Sequence, residues 1–188
     1  MVWAEPAERR IPPILFGTVV FLASELLLFG GLFAAYFALR ARAAAWPPPG
    51  VELDPVLPSI GTALLVASSA TYQAGVVAGR GERLGGLRRW VAATFLLGAA
   101  FLVVQAIDAA RLGFTVSSDA YGTMFYALTG AHALHVAAGL VLMLLVLLRA
   151  AQGAYRGGRV EGAHAVGLYW HFVDAVWIGL YATLWVLR

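Results

Sequence analysis

The sequence contains no cysteine and no lysine. The first absence excludes disulfides, iron–sulfur ligation, thiolate metal sites and a cysteine nucleophile. It leaves the redox compartment open. The second means that the 13 basic residues are all arginine, which against 10 acidic residues gives a net charge of +3. Charge of either sign is scarce. Charged residues make up 12% of the 188 positions, roughly half the usage of a soluble domain. What replaces them is apolar: 61% of positions are hydrophobic, and the mean hydropathy is +0.80. Lipid is the expected solvent for such a chain, and helices are the expected way to span it. The arginines flank apolar runs, so they read as topology determinants and headgroup anchors rather than nucleic-acid contacts. The segment 1–10 before the first run is short, and the run is too long for a signal-peptide core, so it is expected to persist as a helix.

Five stretches, about 14–39, 56–79, 90–110, 122–148 and 164–187, are each long enough to cross a hydrocarbon core of about 30 Å. The predicted fold class is therefore all-α, a polytopic membrane protein with five transmembrane helices in one bundle and one domain. Between the runs lie the loop Trp46-Pro-Pro-Pro-Gly, an Arg/Gly turn at 80–89, a polar link at 111–121 and a second Arg/Gly loop at 149–161. Their prolines and glycines end helices. No internal repeat or low-complexity tail is present. Five crossings place the termini on opposite sides. Nine arginines (Arg9, Arg10, Arg80, Arg83, Arg88, Arg89, Arg149, Arg156 and Arg159) then fall on the N-terminal side, against four (Arg40, Arg42, Arg111 and Arg188) on the other. That imbalance predicts a cytoplasmic N-terminus and an external C-terminus.

Ionisable groups inside a membrane are costly, so each is a candidate for function. Glu25, beside Ser24, lies about twelve residues, or roughly 18 Å, into the first run. Desolvation there favours the neutral carboxyl, and no arginine shares its span. Two readings stand beside each other: interhelical packing, and a role in lipid contact or proton handling. In the last run His171 and Asp174 are three apart and share a face. The pair suits helix packing, with proton relay or metal ligation as the alternative. In the fourth run His132 and His135 are also three apart among small residues, which suits close helix approach and interhelical hydrogen bonds, with metal ligation as the alternative. Gln105 and Asp108 close the third run, where Asp108 is expected to reach water and Gln105 a neighbouring helix. Ser68, Ser69 and Thr71 offer further packing hydroxyls. Small residues in the first two runs (Gly30, Gly31, Ala34, Gly61, Ala67 and Ala70) are expected to admit a large neighbour's helices. There is no nucleophile with a base, no phosphate loop and no haem-type histidine pair. A transporter stays open on these grounds, although paired broken helices are absent.

Several segments resemble subunit III of the haem-copper terminal oxidases. Leu22-Ala-Ser-Glu-Leu is similar to that family's first-half signature, and Trp46-Pro-Pro-Pro-Gly with Leu64-Leu-Val-Ala-Ser-Ser to its next loop and helix. Phe101-Leu-Val-Val-Gln-Ala-Ile-Asp and Tyr121-Gly-Thr-Met-Phe-Tyr-Ala-Leu-Thr-Gly-Ala-His-Ala-Leu-His-Val resemble its central segment. Tyr169-Trp-His-Phe-Val-Asp-Ala-Val-Trp resembles its closing signature. The matches run in family order from about Phe16 to Trp185.

The resemblance implies a subunit that carries no catalytic residue, haem, copper or other metal, with haem and copper in partner subunits I and II. It implies packing on subunit I, support of proton uptake and turnover, and cytochrome c as the substrate of the complex. A bacterial plasma membrane is the expected location, with membrane lipid and no nucleic acid as partner. Glu25 matches the family's intramembrane glutamate, near a cleft that holds phospholipid. His132, His135, His171 and Asp174 match its packed interior. Two departures stand out. Many members have seven helices, and the first two are lacking here, so lipid binding in that cleft is expected to need another chain. Asp108 stands where the family usually has glutamate. Quinol-oxidase relatives tend to have Ser-Asp where Ser24-Glu25 stands, and a nitric oxide reductase accessory protein tends to lack the Trp-Pro-Pro loop. Trp46–Gly50 with the Tyr169–Asp174 segment favours the cytochrome c branch.

Overall fold

The structure is a computed structural model that describes residues 12–187. Arg9, Arg10 and Arg188, used above to orient the chain, lie outside the described residues. Five helices account for the fold: α1 (Pro13–Arg40), α2 (Val56–Arg80), α3 (Leu84–Arg111), α4 (Ala120–Ala151) and α5 (Glu161–Tyr181). A 3-10 turn, Arg156–Gly158, precedes α5, and a π turn, Ala182–Val186, extends it. No strand occurs among the described residues. The architecture is all-α, as the composition predicts.

Among the described residues four helices, α1 to α4, are long and apolar enough to cross a membrane. The fifth falls outside that set, its sequence spending positions on Tyr169, Trp170, His171, Asp174 and Trp177. At 21 residues it still reaches about 31 Å. Each of these five side chains makes a hydrogen bond to another helix, which lowers the cost of burying it.

Helix α3 begins at Leu84, not near residue 90, so Arg88 and Arg89 are helical and the expected turn at 80–89 shrinks to residues 81–83. The cause is local: a Cβ on Gly86 would stand 2.9 Å from the Ala78 Cβ, so only glycine lets the first turn of α3 lie against the end of α2. Glu82 takes a left-handed backbone (φ 59°) to complete the reversal. At the start of α4, Asp119 Oδ1 accepts from the Gly122 N–H at 2.8 Å, a side-chain cap.

Helices α2 to α5 form a closed ring in which α2 packs on α3, α3 on α4, α4 on α5, and α5 on α2. Helix α1 lies outside it, against α4 and α5. Its apolar window is only 6% buried. At the ring's centre Trp170, wholly buried, touches three neighbours. Its Nε1–H donates to Ser68 Oγ on α2 at 2.9 Å. A Cβ on Gly98 of α3 or Gly139 of α4 would come within 2.8 or 2.7 Å of its ring. Gly139→Val is therefore expected to destabilise the bundle by about 3 kcal/mol, the upper end for overpacking, because a rigid indole cannot yield. Thermal unfolding in detergent measures the loss.

The Trp46 loop folds over the far ends of α1 and α4. Its indole meets Tyr36 and Tyr121 edge-on, each at 5.2 Å between ring centres.

Candidate functional site

Glu25 is the thirteenth of the 28 residues of α1, close to the helix midpoint. No arginine shares its span, but the packing of α1 on α4 gives it an ionisable partner from another helix. Its Oε2 lies 2.8 Å from His135 Nε2. The side chains are only 15% and 18% exposed. His135 Nδ1 is 2.7 Å from the Ala131 carbonyl, which can only accept, so Nδ1 carries a proton. Nε2 therefore has two options. It accepts from a protonated Glu25, or it is itself protonated and donates to a carboxylate. Both arrangements place one proton in the shared bond and carry no net charge. Phe29 packs edge-on against the imidazole at 5.0 Å. Tyr169 donates its hydroxyl to the His135 carbonyl at 2.9 Å. Ser24 is exposed and bonds back to the Phe21 carbonyl at 2.6 Å, away from the pair.

His132 and His135 do not share a neighbour. Three residues on a helix leave about 60° between side chains. In this bundle that angle sends His135 to α1 and His132 inward, between Phe101 (5.7 Å) and Trp177 (5.0 Å). His132 is wholly buried, and neither of its nitrogens has a hydrogen-bond partner among the described residues. It packs as an aromatic disc.

His171 and Asp174 do converge, on Ser69 of α2. The Ser69 hydroxyl donates to Asp174 Oδ2 and accepts from His171 Nδ1 at 2.9 Å. This junction sits in an antiparallel seam between α2 and α5. Ser59 pairs with the Tyr181 hydroxyl (2.7 Å), Trp177 Nε1 donates to Thr62 (2.9 Å), and Tyr72 donates to the Ala163 carbonyl (2.8 Å). Thr71 joins Thr94 of α3 at 2.8 Å. Sequence spacing marks the hydroxyls but not this register, which depends on α2 and α5 meeting across roughly a hundred residues.

Gln105 Nε2 donates to the Thr129 carbonyl of α4 at 3.1 Å. With half-buried Asp108 it lines a small cavity of about 30 Å³ between Gly61, Phe101 and Trp177, room for one or two waters by volume. Gly61 faces inward, since a Cβ there would be 3.1 Å from Phe101. It is not an open docking position. Gly30 and Gly31 have nothing within 4 Å and remain open. Among the described residues no group of three or more His, Asp or Glu could hold a metal.

Fold and site together define a polytopic helical membrane protein with a mid-helix Glu–His pair on a peripheral helix and a hydrogen-bonded seam in its core. Sequence comparison supplies the family. The family described as cytochrome c oxidase subunit III matches residues 11–187. A probable cytochrome c oxidase subunit 3 of Nocardia farcinica is 46% identical, over 92% of this chain and 87% of the relative. A cytochrome c oxidase subunit 3 of Corynebacterium diphtheriae is 42% identical, over 97% and 92%. One from Thermostichus vulcanus is 40% identical, over 91% and 86%. The chain belongs to the cytochrome c oxidase subunit III family.

Proposed function

We propose that the chain acts as the non-catalytic subunit III of a cytochrome c oxidase, packed on subunit I, and that the Glu25–His135 pair supports proton delivery during sustained turnover. The observation that carries this reading is the 2.8 Å contact between Glu25 Oε2 and His135 Nε2 near the middle of α1, a bond that two ionisable groups can make only by sharing a proton. An intramembrane pair of this kind stores a proton without the penalty of a lone charge in lipid. Haem and copper reside in the partner subunits. The complex lies in a bacterial plasma membrane with the N-terminus of this chain cytoplasmic. The arginine imbalance supports that orientation. Helix α1, with its open Gly30 and Gly31, offers one approach for a neighbouring subunit's helices.

Glu25→Gln tests the pair's role. The amide N–H can donate to His135 Nε2 as a protonated carboxyl would, so packing persists while the exchangeable proton is lost. The assembled mutant oxidase is expected to start oxygen reduction at nearly the normal rate and to lose activity faster during continuous turnover. A fall of about a hundredfold or more in the initial rate would overturn the supporting role and make Glu25 an obligatory carrier, since general acid–base groups contribute about that much or more.

A further inference from the structure

On the side of the ring away from α1, helices α2 and α3 leave an open groove of about 370 Å³ near their N-terminal-side ends. Its floor is made of small residues, Ala74, Ala78 and Gly86, and a Cβ on Gly86 would stand 2.9 Å from that of Ala78. Its rim carries Arg83, Arg89 and Trp90, all exposed. Arg89 and Trp90 stand three and four residues after Gly86 on α3, and Arg83 caps the start of that helix, so all three side chains line the same groove.

No carboxylate lines the groove. The neighbouring Glu82 instead extends toward Gly158, on the α5 side. Among the described residues neither guanidinium has an ion-pair or hydrogen-bond partner. Two unpaired, planar, permanently charged donors over one concavity suit a phosphate. Two further features separate a lipid from a free phosphate. Trp90, in the second turn of α3 beside these arginines, is the residue type that anchors at headgroup depth. Below the rim, exposed Val77, Ala70, Ala67 and Val66 continue one apolar track along α2, which an acyl chain would cover and inorganic phosphate would not.

We propose that this groove binds an anionic phospholipid of the N-terminal-side leaflet, its phosphate held by Arg83 and Arg89 and one acyl chain laid along Val77, Ala74 and Ala70 of α2. The site is separate from the Glu25 region, which lies across the ring on α1 and α4. Basic pockets between transmembrane helices at the leaflet surface are suited to such headgroups.

The test uses the complex in which the chain purifies, delipidated and titrated with phosphatidylglycerol or phosphatidylcholine of the same acyl chains, with bound lipid counted by native mass spectrometry. The wild-type complex is expected to prefer phosphatidylglycerol. Arg83→Gln with Arg89→Gln should weaken that binding about thirtyfold, taking about one kcal/mol for each basic residue near the membrane surface. Phosphatidylcholine binding should not change, and Arg40→Gln with Arg42→Gln on the opposite side should alter neither. Ala74→Leu fills the groove while keeping both charges, and should also lose phosphatidylglycerol. It serves as the second reading if the double arginine variant does not assemble. Excess inorganic phosphate should not displace the lipid. Undiminished phosphatidylglycerol binding in either groove variant, equal affinity for the two lipids, or displacement by inorganic phosphate would overturn the proposal.

Discussion

His135→Leu is expected to destabilise the docking of α1 on the bundle by about 2 kcal/mol, and Glu25→Leu in the same chain is expected to restore most of the loss. Among the described residues the Glu25–His135 contact is the only side-chain hydrogen bond between α1 and the other helices. The rest of the attachment is apolar, with Phe29 buried at 1% exposure, Phe33 against Gly179, and Phe21 stacked on Tyr169. Removing the imidazole strands a carboxyl in a mostly dry position, and an unsatisfied buried group costs about 1–3 kcal/mol. Interhelical hydrogen bonds in membranes average less than this, because a separated helix finds other partners in the bilayer. That consideration places the expected value in the middle of the range rather than at its top. Removing both polar groups leaves an apolar contact that lipid-facing helices tolerate well. A double-mutant cycle by reversible detergent unfolding measures the coupling. Additive single effects, with no recovery in the double variant, would show that the pair does not secure α1.

Much of this architecture is legible from residue order alone, and the misses share one cause. Apolar runs locate all five helices because lipid leaves a backbone few alternatives. Their ends are less legible. The Arg80–Arg89 stretch looks like a loop by composition, yet Gly86 against Ala78 lets α3 begin six residues sooner than residue 90. The depth of Glu25 can be counted along the chain, but its partner cannot, since His135 is 110 residues away and reaches it only because α1 packs on α4. The same limit applies to His132 and His135. Equal helical spacing makes them look alike, and only the positions of α1, α3 and α5 give one a hydrogen-bonded role and the other an aromatic one. Gly61 and Gly30 are likewise indistinguishable as letters. One admits Phe101 in the core and the other faces open space. Small residues announce close approach without saying whose.

Ser69→Ala is expected to cost about 2 kcal/mol and to impair assembly, although it removes a single oxygen. Asp174 is 6% exposed, and Ser69 is the donor to its Oδ2, while Oδ1 has no partner among the described residues. Deleting the hydroxyl leaves the whole carboxyl unsatisfied between α2 and α5, where water cannot readily replace it. Asp174→Leu added to Ser69→Ala should recover most of the stability, since removing both members of a buried polar pair is far cheaper than removing one. His171→Asn is expected to be milder than Ser69→Ala, because the Ser69–Asp174 bond survives it and His171 is only partly buried. If the junction is a packing element, each variant lowers the amount of assembled complex while leaving turnover per assembled complex near normal. Blue-native electrophoresis alongside oxygen uptake per haem separates the two quantities. Full assembly with abolished turnover in Ser69→Ala or His171→Asn would instead give the seam a direct part in moving protons.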